Sequence, residues 1–398
     1  MYIGSREKLV LVALAFIALL SYGVFNWMGL GARSSGYAAE FEAARRTRDA
    51  ELAIREMKQS DMVMSAVAGD EVQEAMIGLP TSPITTDPGA LSAKITSTNP
   101  NFAAVIVSML RDAGVRPGDV VAISYTGSFP ALDIASIMAV EALGAKPAIV
   151  SSVGASTWGA NDPELTILDM ESQLVRKGMI AHKSLAASLG GDYRLRPMSA
   201  EGRKQASDAI SRNKVILLNA PNITDSVEQR MNVYRREAGD QPIKAFINVG
   251  GGLPSTGVGG QYDPGLTVAP PRGDVTVEGL IARMQDDGVP VVNLTDIKTM
   301  ARDHRMPVAP ASTPPLGDGA VYRDWTQVRV VAALLVVALA VILFATRFIV
   351  LAPAGDGTVD TYFGTAPRTL RAWLRSFGIR MPRRAGAAEA PVEDKVIR

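Results

Sequence analysis

The sequence predicts an α/β domain with a doubly wound, mostly parallel sheet of Rossmann-like type. It places that domain outside the cytoplasm, between two transmembrane helices. Three observations lead there. Short unbroken apolar runs such as VVAI (120–123) and AIV (148–150) alternate with helical patterns of roughly 10–15 residues, as strands buried on both faces do. Hydroxyl-rich loops follow successive strands, at the edge where parallel sheets bind ligands. Two long apolar stretches flank the whole.

The first stretch, Leu9 to Leu30 (LVLVALAFIALLSYGVFNWMGL), has 22 residues and no charge. At ~1.5 Å per residue it covers about 33 Å, enough for a bilayer core of ~30 Å. A cleaved signal peptide is the alternative, but the apolar core of such peptides is usually only ~7–15 residues. The second stretch, VVAALLVVALAVILFAT (330–346), continues past Arg347, which can snorkel to lipid headgroups. Arg6 and Lys8 precede the first span, and Arg368, Arg371, Arg375, Arg380, Arg383, Arg384, Lys395 and Arg398 follow the second. By the positive-inside rule both termini are expected in the cytosol of a bacterial cell, with a two-pass inner-membrane topology.

The expected layout is a cytosolic N-terminus (1–8), a transmembrane helix (9–30), a juxtamembrane stalk helix (31–78) and the extracytoplasmic α/β domain (79–305). A Pro-rich linker (306–328), a second transmembrane helix (329–352) and a basic cytosolic tail (353–398) complete it. Within the stalk, Ala43, Thr47, Ala50, Ile54, Met57 and Met64 keep a 4,3 spacing. Small residues make a poor zipper seam, so a helix leaning on the domain is expected over a dimer coil. Residues 79–101 read as a long Pro/Thr/Ser loop, a kind more often functional than idle. Asn99-Pro100 starts a helix that ends at Gly114. Strands are expected at 119–124, 145–151, 215–218, 244–249 and 290–293. Helices are expected at 130–143, from Asp162-Pro163-Glu164 to Lys177, at 199–212, from Asp225 to Glu237, at 277–287 and at 296–305. In the tail, Leu370, Trp373, Leu374 and Phe377 share one helical face opposite Arg368, Arg371 and Arg375. That pattern reads as a membrane-surface helix, or alternatively as a docking helix for a cytosolic partner.

Composition excludes several chemistries. The 398 residues contain no cysteine, so thiol nucleophiles, disulfides and Cys zinc sites are absent. The only histidines are His182 and His304, and no metal site is expected. A net charge of +1 gives no electrostatic case for nucleic acid. Gly250-Gly251-Gly252 lacks the order of a phosphate-binding motif, so no nucleotide or other cofactor is expected.

The candidate ligand-binding residues lie on two strand-end loops. They are Ser124, Thr126, Gly127 and Ser128 on the first, and Ser152, Ser156, Thr157, Trp158 and Asn161 on the second. Hydroxyls, amides and a helix N-terminus there suit an anion. Capping and turn chemistry uses the same residue types. Ser128 stands at a strand-to-helix turn but without G-x-S-x-G around it. Ser128, Asp162 and His182 are the weak candidates for catalysis, and the sequence favours binding over an enzyme.

The stretches ITTDPGALSAKITSTNPNFAAV, GDVVAISYTGSFPALDIA and SSVGASTWGANDPELTILDME resemble the poly-gamma-glutamate system protein family. The resemblance covers most of residues 80–260 and leaves out the basic tail. It implies a membrane-anchored accessory protein of poly-gamma-glutamate synthesis or export. It further implies an outer domain that meets the anionic polymer, glutamate oligomers or membrane subunits of the synthase and export complex. A hydrolase or transferase acting on the polymer, and a non-catalytic scaffold, are the alternatives. The family brings no catalytic residues to carry over.

Overall fold

The computed structural model describes residues 33–58, 69–191, 198–268 and 275–324, with Val337 and the segments 349–353 and 359–363. The chain divides into two units, Gly31–Asp324 and the two terminal segments together. The sequence-predicted span 9–30, most of the span 329–352 and the tail helix lie outside the described residues. Among the described residues no helix is long and apolar enough to cross a membrane.

The larger unit is a mixed α/β domain with a mostly parallel seven-stranded sheet, which fits a Rossmann-like fold. Its strands are β1 (Val120–Thr126), β2 (Lys146–Ser152), β5 (Ala186–Ser188), β6 (Ile216–Leu217), β7 (Ile243–Val249), β8 (Gly265–Thr267) and β9 (Val291–Leu294). A two-residue hairpin, β3 (Asn161–Asp162) and β4 (Leu165–Thr166), stands outside the sheet. The strand order is β6-β5-β2-β1-β7-β9-β8, with only β8 antiparallel. From β1 the chain runs outward through β2, β5 and β6, and from β7 it goes to the edge strand β8 and returns to β9 between them. Between β1 and β7 lies the topological switch point, where α/β sheets open a crevice.

The core separates by strand parity, as the period of two requires. Val121, Ile123 and Tyr125 of β1 join the larger apolar cluster, whereas Val120 and Ala122 join the smaller one on the opposite face. The larger cluster is covered by α1 (Tyr37–Arg55), α4 (Phe102–Asp112), α5 (Pro130–Ala142), α6 (Ile167–Arg176), α7 (Ala200–Arg212) and α11 (Ile297–Asp303). The smaller is covered by α8 (Ile223–Ala238) and α10 (Leu280–Asp286). Short helices α2 (Glu71–Met76), α3 (Leu91–Ser97) and α9 (Leu253–Thr256) fill in between.

Several expectations shift. The helix expected from Asp162 starts at Ile167 instead, because Asp162 and Pro163 turn the hairpin and Thr166 with Asp169 forms the capping box. The expected strand at 215–218 shortens to Ile216–Leu217 and sits on the sheet edge, where both residues are exposed. The long 79–101 loop contains α3. Helix α1, in the expected stalk, packs against α4 and α5, with Ala43, Ala44, Thr47, Ala50 and Ile54 buried. In the smaller unit, Ile349–Pro353 pairs antiparallel with Val359–Phe363 as β10 and β11. Residues 349–352, expected at the end of the second transmembrane helix, are therefore strand. The β-branched Ile349 and Val350 suit that state.

The expected linker is a strap on the domain. Thr313 N–H donates to Asp70 Oδ2 at 2.6 Å, and Met306 and Tyr322 are buried. Its main clamp is Asn101, which is fully buried. Asn101 Oδ1 accepts from Gly317 N (3.0 Å) and Tyr322 Oη (2.7 Å), and Nδ2 donates to Pro315 O (3.0 Å).

Replacing Asn101 by Ala leaves the buried Tyr322 hydroxyl without this partner, whereas Pro315 and Gly317 are exposed and can turn to water. At about 1–3 kcal/mol for a buried group left unsatisfied, a loss of roughly 1–3 kcal/mol is expected. Urea unfolding measures the loss, and amide exchange should localise early opening to residues 313–322.

Candidate functional site

A cleft of about 360 Å³ opens at the C-terminal ends of β1, β2, β5 and β7. Thr126, Ser128, Ser152, Ser156 and Ser188 line it, with Gly251 and Gly252 after β7 and Ser226 on α8. The segment 86–88 closes one side.

Register explains the row of hydroxyls. Thr126 pairs with Ser152, and Ser152 with Ser188, across three parallel neighbours. All three share a strand parity, so their side chains emerge on one face. That is the face of the smaller apolar cluster, where Ala122, Ala148, Val150 and Ala186 stand further down the strands. Each strand thus ends its apolar stripe in a hydroxyl where the cleft begins. Ser152 Oγ and Ser188 Oγ lie 2.8 Å apart.

Behind the row is Arg230. Ser226, Val227, Arg230, Met231 and Tyr234 fall on one face of α8 by helical spacing, and all are buried. The Arg230 guanidinium, 2 % exposed, donates to Ser188 Oγ at 2.8 Å and lies 3.5 Å from Ser152 Oγ. It also bonds the hydroxyl and carbonyl of Ser226. The Ser152, Ser188 and Ser226 hydroxyls therefore stand between this buried guanidinium and the cleft.

The opposite wall carries a second buried cation. Lys94 of α3 is 2 % exposed. Its ammonium donates to Ser156 Oγ at 2.7 Å and to the Ser128 carbonyl, 3.9 Å from the Phe129 ring centroid. Burial lowers its pKa to about 7, and Asp133 acts in the opposite sense. Asp133 on α5 is fully buried with neither carboxylate oxygen hydrogen-bonded. Burial, reinforced by Glu171, raises it well above the usual carboxylate range. Glu171 is raised by burial too, although it accepts from Tyr125 Oη and from Ser184 N (2.6 Å) and Oγ (2.9 Å).

The structure sorts the predicted residues. The two strand-end loops meet: Ser156 N–H donates to Ser128 Oγ (3.1 Å), Gly127 N–H to Ser152 O (3.1 Å) and Ala160 N–H to Gly127 O (2.7 Å). Gly159 makes this approach possible, since a Cβ there would stand 2.7 Å from Gly127 O. Ser124 points below the cleft to Ser255 Oγ at 2.8 Å. Three other predicted residues are structural. Thr157 Oγ1 binds the backbone of Gly89, accepting from its N–H at 2.6 Å. Trp158 sits at φ 66° with its N–H on Leu79 O. Asn161 is fully buried and clamps Leu79 from both sides, accepting at 2.8 Å and donating at 2.9 Å.

The weak catalytic trio does not assemble. Asp162 accepts from Glu164 N–H in its own turn. His182 Nδ1 lies 3.1 Å from Glu141 Oε1 at the far end of α5. Only Ser128 lines the cleft. Sequence reasoning missed Lys94, Arg230, Ser188 and Ser226. No local pattern marks them: the two basic residues sit on helices as many others do, and Ser188 ends a strand without β-branched or aromatic residues. Among the described residues no group of three or more acidic or histidine side chains converges on one point.

Asp133 sets a pH dependence. Its folded-state pKa lies above the unfolded value, so between the two the folded state holds a proton that the unfolded state has lost, and stability falls as pH rises. Asp133→Asn should therefore unfold at higher urea than the parent protein above neutral pH. The difference should vanish near about pH 4, where the unfolded aspartate is also protonated.

No family model and no curated protein matches this chain. Among solved structures it is similar to an archaeal alanine:glyoxylate aminotransferase, at 17 % identity over 71 % of this chain. The match spans 56 % of the length of that protein, with a TM-score of 0.14, a likeness too slight to carry an argument.

Proposed function

We propose that this protein is an accessory membrane protein of poly-gamma-glutamate synthesis or export, and that its α/β domain binds carboxylates of the polymer in the cleft. The supporting observation is the set of hydroxyls of Ser152, Ser188 and Ser226, which line the cleft and are oriented by the buried Arg230 guanidinium behind them. Serines bonded to a cation present their remaining acceptor and donor capacity to the cleft, and an anion takes the donors. Asp87, which lines the cleft as well, disfavours a ligand packed against its side.

In this reading the apolar segments 9–30 and 329–348 anchor the chain in the inner membrane, with both termini cytosolic. The basic tail meets lipid headgroups, and synthase or export subunits meet the domain from the membrane side. The sequence resemblance supplies the process, and the cleft supplies a ligand chemistry that agrees with it.

Arg230→Lys keeps the charge and loses the forked geometry. A hydrogen bond to a charged group contributes about 1.5–3 kcal/mol, so binding of γ-linked glutamate oligomers to the full-length chain should weaken roughly tenfold or more. Calorimetry reads this directly. The double variant Ser152→Ala/Ser188→Ala should behave alike, whereas Asn161→Ala should lower stability and leave affinity unchanged. Equal affinity in all three would overturn the site.

A further inference from the structure

Ser156 and Lys94 form a pair that the binding reading does not require. Ser156 lies on the loop leaving β2 and lines the cleft. Lys94 comes from α3, a segment far away in sequence, and its Nζ stands 2.7 Å from Ser156 Oγ. Two chain segments fix that ammonium: α3 carries it, and on the loop after β1 the Ser128 carbonyl accepts from it while the Phe129 ring covers it. The serine is fixed as well, through its backbone N–H on Ser128 Oγ at 3.1 Å. Ser156 is the member of the pair that lines the cleft, with the lysine behind it.

The surroundings favour the neutral amine. Lys94 is 2 % exposed, and its pKa falls to about 7, chiefly through burial. The acid facing it is Asp133 on α5, held largely in its neutral form by burial, with Glu171 of α6 and Tyr125 of β1 behind. Asp87 lines the same cleft from the segment before α3. An amine that loses its proton near neutral pH accepts one from a serine, as an ordinary surface lysine does not.

We infer that Ser156 is a nucleophile and Lys94 its general base, in an acyl-transfer reaction on an ester or amide bound in the cleft. Ser156 Oγ bonds to the acyl carbon while its proton passes to Lys94 Nζ. The bond from acyl carbon to the leaving oxygen or nitrogen breaks, and that group departs with the proton from Lys94. Water then attacks the acyl-serine, giving its proton to Lys94. The carbon–Oγ bond breaks, Ser156 regains a proton from Lys94, and a carboxylic acid leaves. Water is the one co-reactant. This replaces Ser128, Asp162 and His182 as the residues of a hydrolase or transferase, and it does not depend on the identity of the polymer.

A fluorophosphonate carrying no carboxylate tests the pair apart from anion binding. Ser156 Oγ would form a bond to phosphorus, fluoride would leave, and Lys94 would take the proton. With the full-length chain, intact mass and peptide mapping should place a single adduct on Ser156. The labelling rate should rise roughly tenfold or more as pH increases through about 7, because only the neutral amine acts as base. Ser156→Ala should abolish the adduct. Lys94→Arg, which keeps a cation but stays protonated, should slow it roughly a hundredfold. The wild-type pH profile tests the base even where that variant does not fold. Absence of an adduct, an adduct that persists in Ser156→Ala, or a rate independent of pH would each overturn the inference.

Discussion

A parallel sheet covered on both faces has few places for polar side chains, and that constraint organises this molecule. On the face toward the smaller apolar cluster β1, β2 and β5 present Val120, Ala122, Ala148, Val150 and Ala186, with Ser124 the one buried hydroxyl before the strands end. The side chain at that point is a hydroxyl: Thr126, Ser152 or Ser188. Parallel register then aligns the three into a row. The row makes it possible to bury Arg230, since a guanidinium with its donors met by hydroxyls costs far less than one facing methyl groups. The cleft and its row of hydroxyls are thus consequences of how the sheet ends.

Two buried cations flank the cleft and differ in chemistry. Arginine stays charged in any protein environment, so Arg230 orients its hydroxyl partners at every pH. Lysine gives up its proton when burial is severe enough, and Lys94 sits where that exchange happens close to neutral pH. The acids below it, Asp133 and Glu171, are pushed up by burial and so offer little fixed negative charge to hold the ammonium. One wall is therefore suited to holding an anion and the other to moving a proton.

Much of the architecture was legible because it rests on local pattern. The runs at 120–126, 146–152 and 243–249 are apolar and bounded by turn residues, and each is a strand within a residue or two of expectation. The helices Pro130–Ala142 and Ala200–Arg212 carry a proline start and a serine cap that mark their first turns. Strand β5 was not legible. Ala186–Ala187–Ser188 has no β-branched or aromatic residue, and pairing with β2 alone makes it a strand. The hairpin at Asn161–Thr166 was misread since Asp-Pro-Glu starts helices and turns alike. Proline content suggested a free linker at 306–328, yet Asn101, more than two hundred residues earlier, holds that segment by three hydrogen bonds.

The sequence by itself determined the alternation of strands and helices, the absence of thiol chemistry and the two hydroxyl-rich loops beside the central strands. Those properties follow from residue type and near-neighbour spacing, which a linear pattern displays. Only the tertiary structure decided which hydroxyls face the cleft and which serve as clamps. Ser156 and Thr157 are adjacent in the chain, yet one meets Lys94 at the cleft and the other binds Gly89. It also decided that Lys94 and Arg230, unremarkable as basic residues on helices, lie buried at the two walls. Charge placement in a folded interior depends on which distant segments pack together, and no local spacing encodes that.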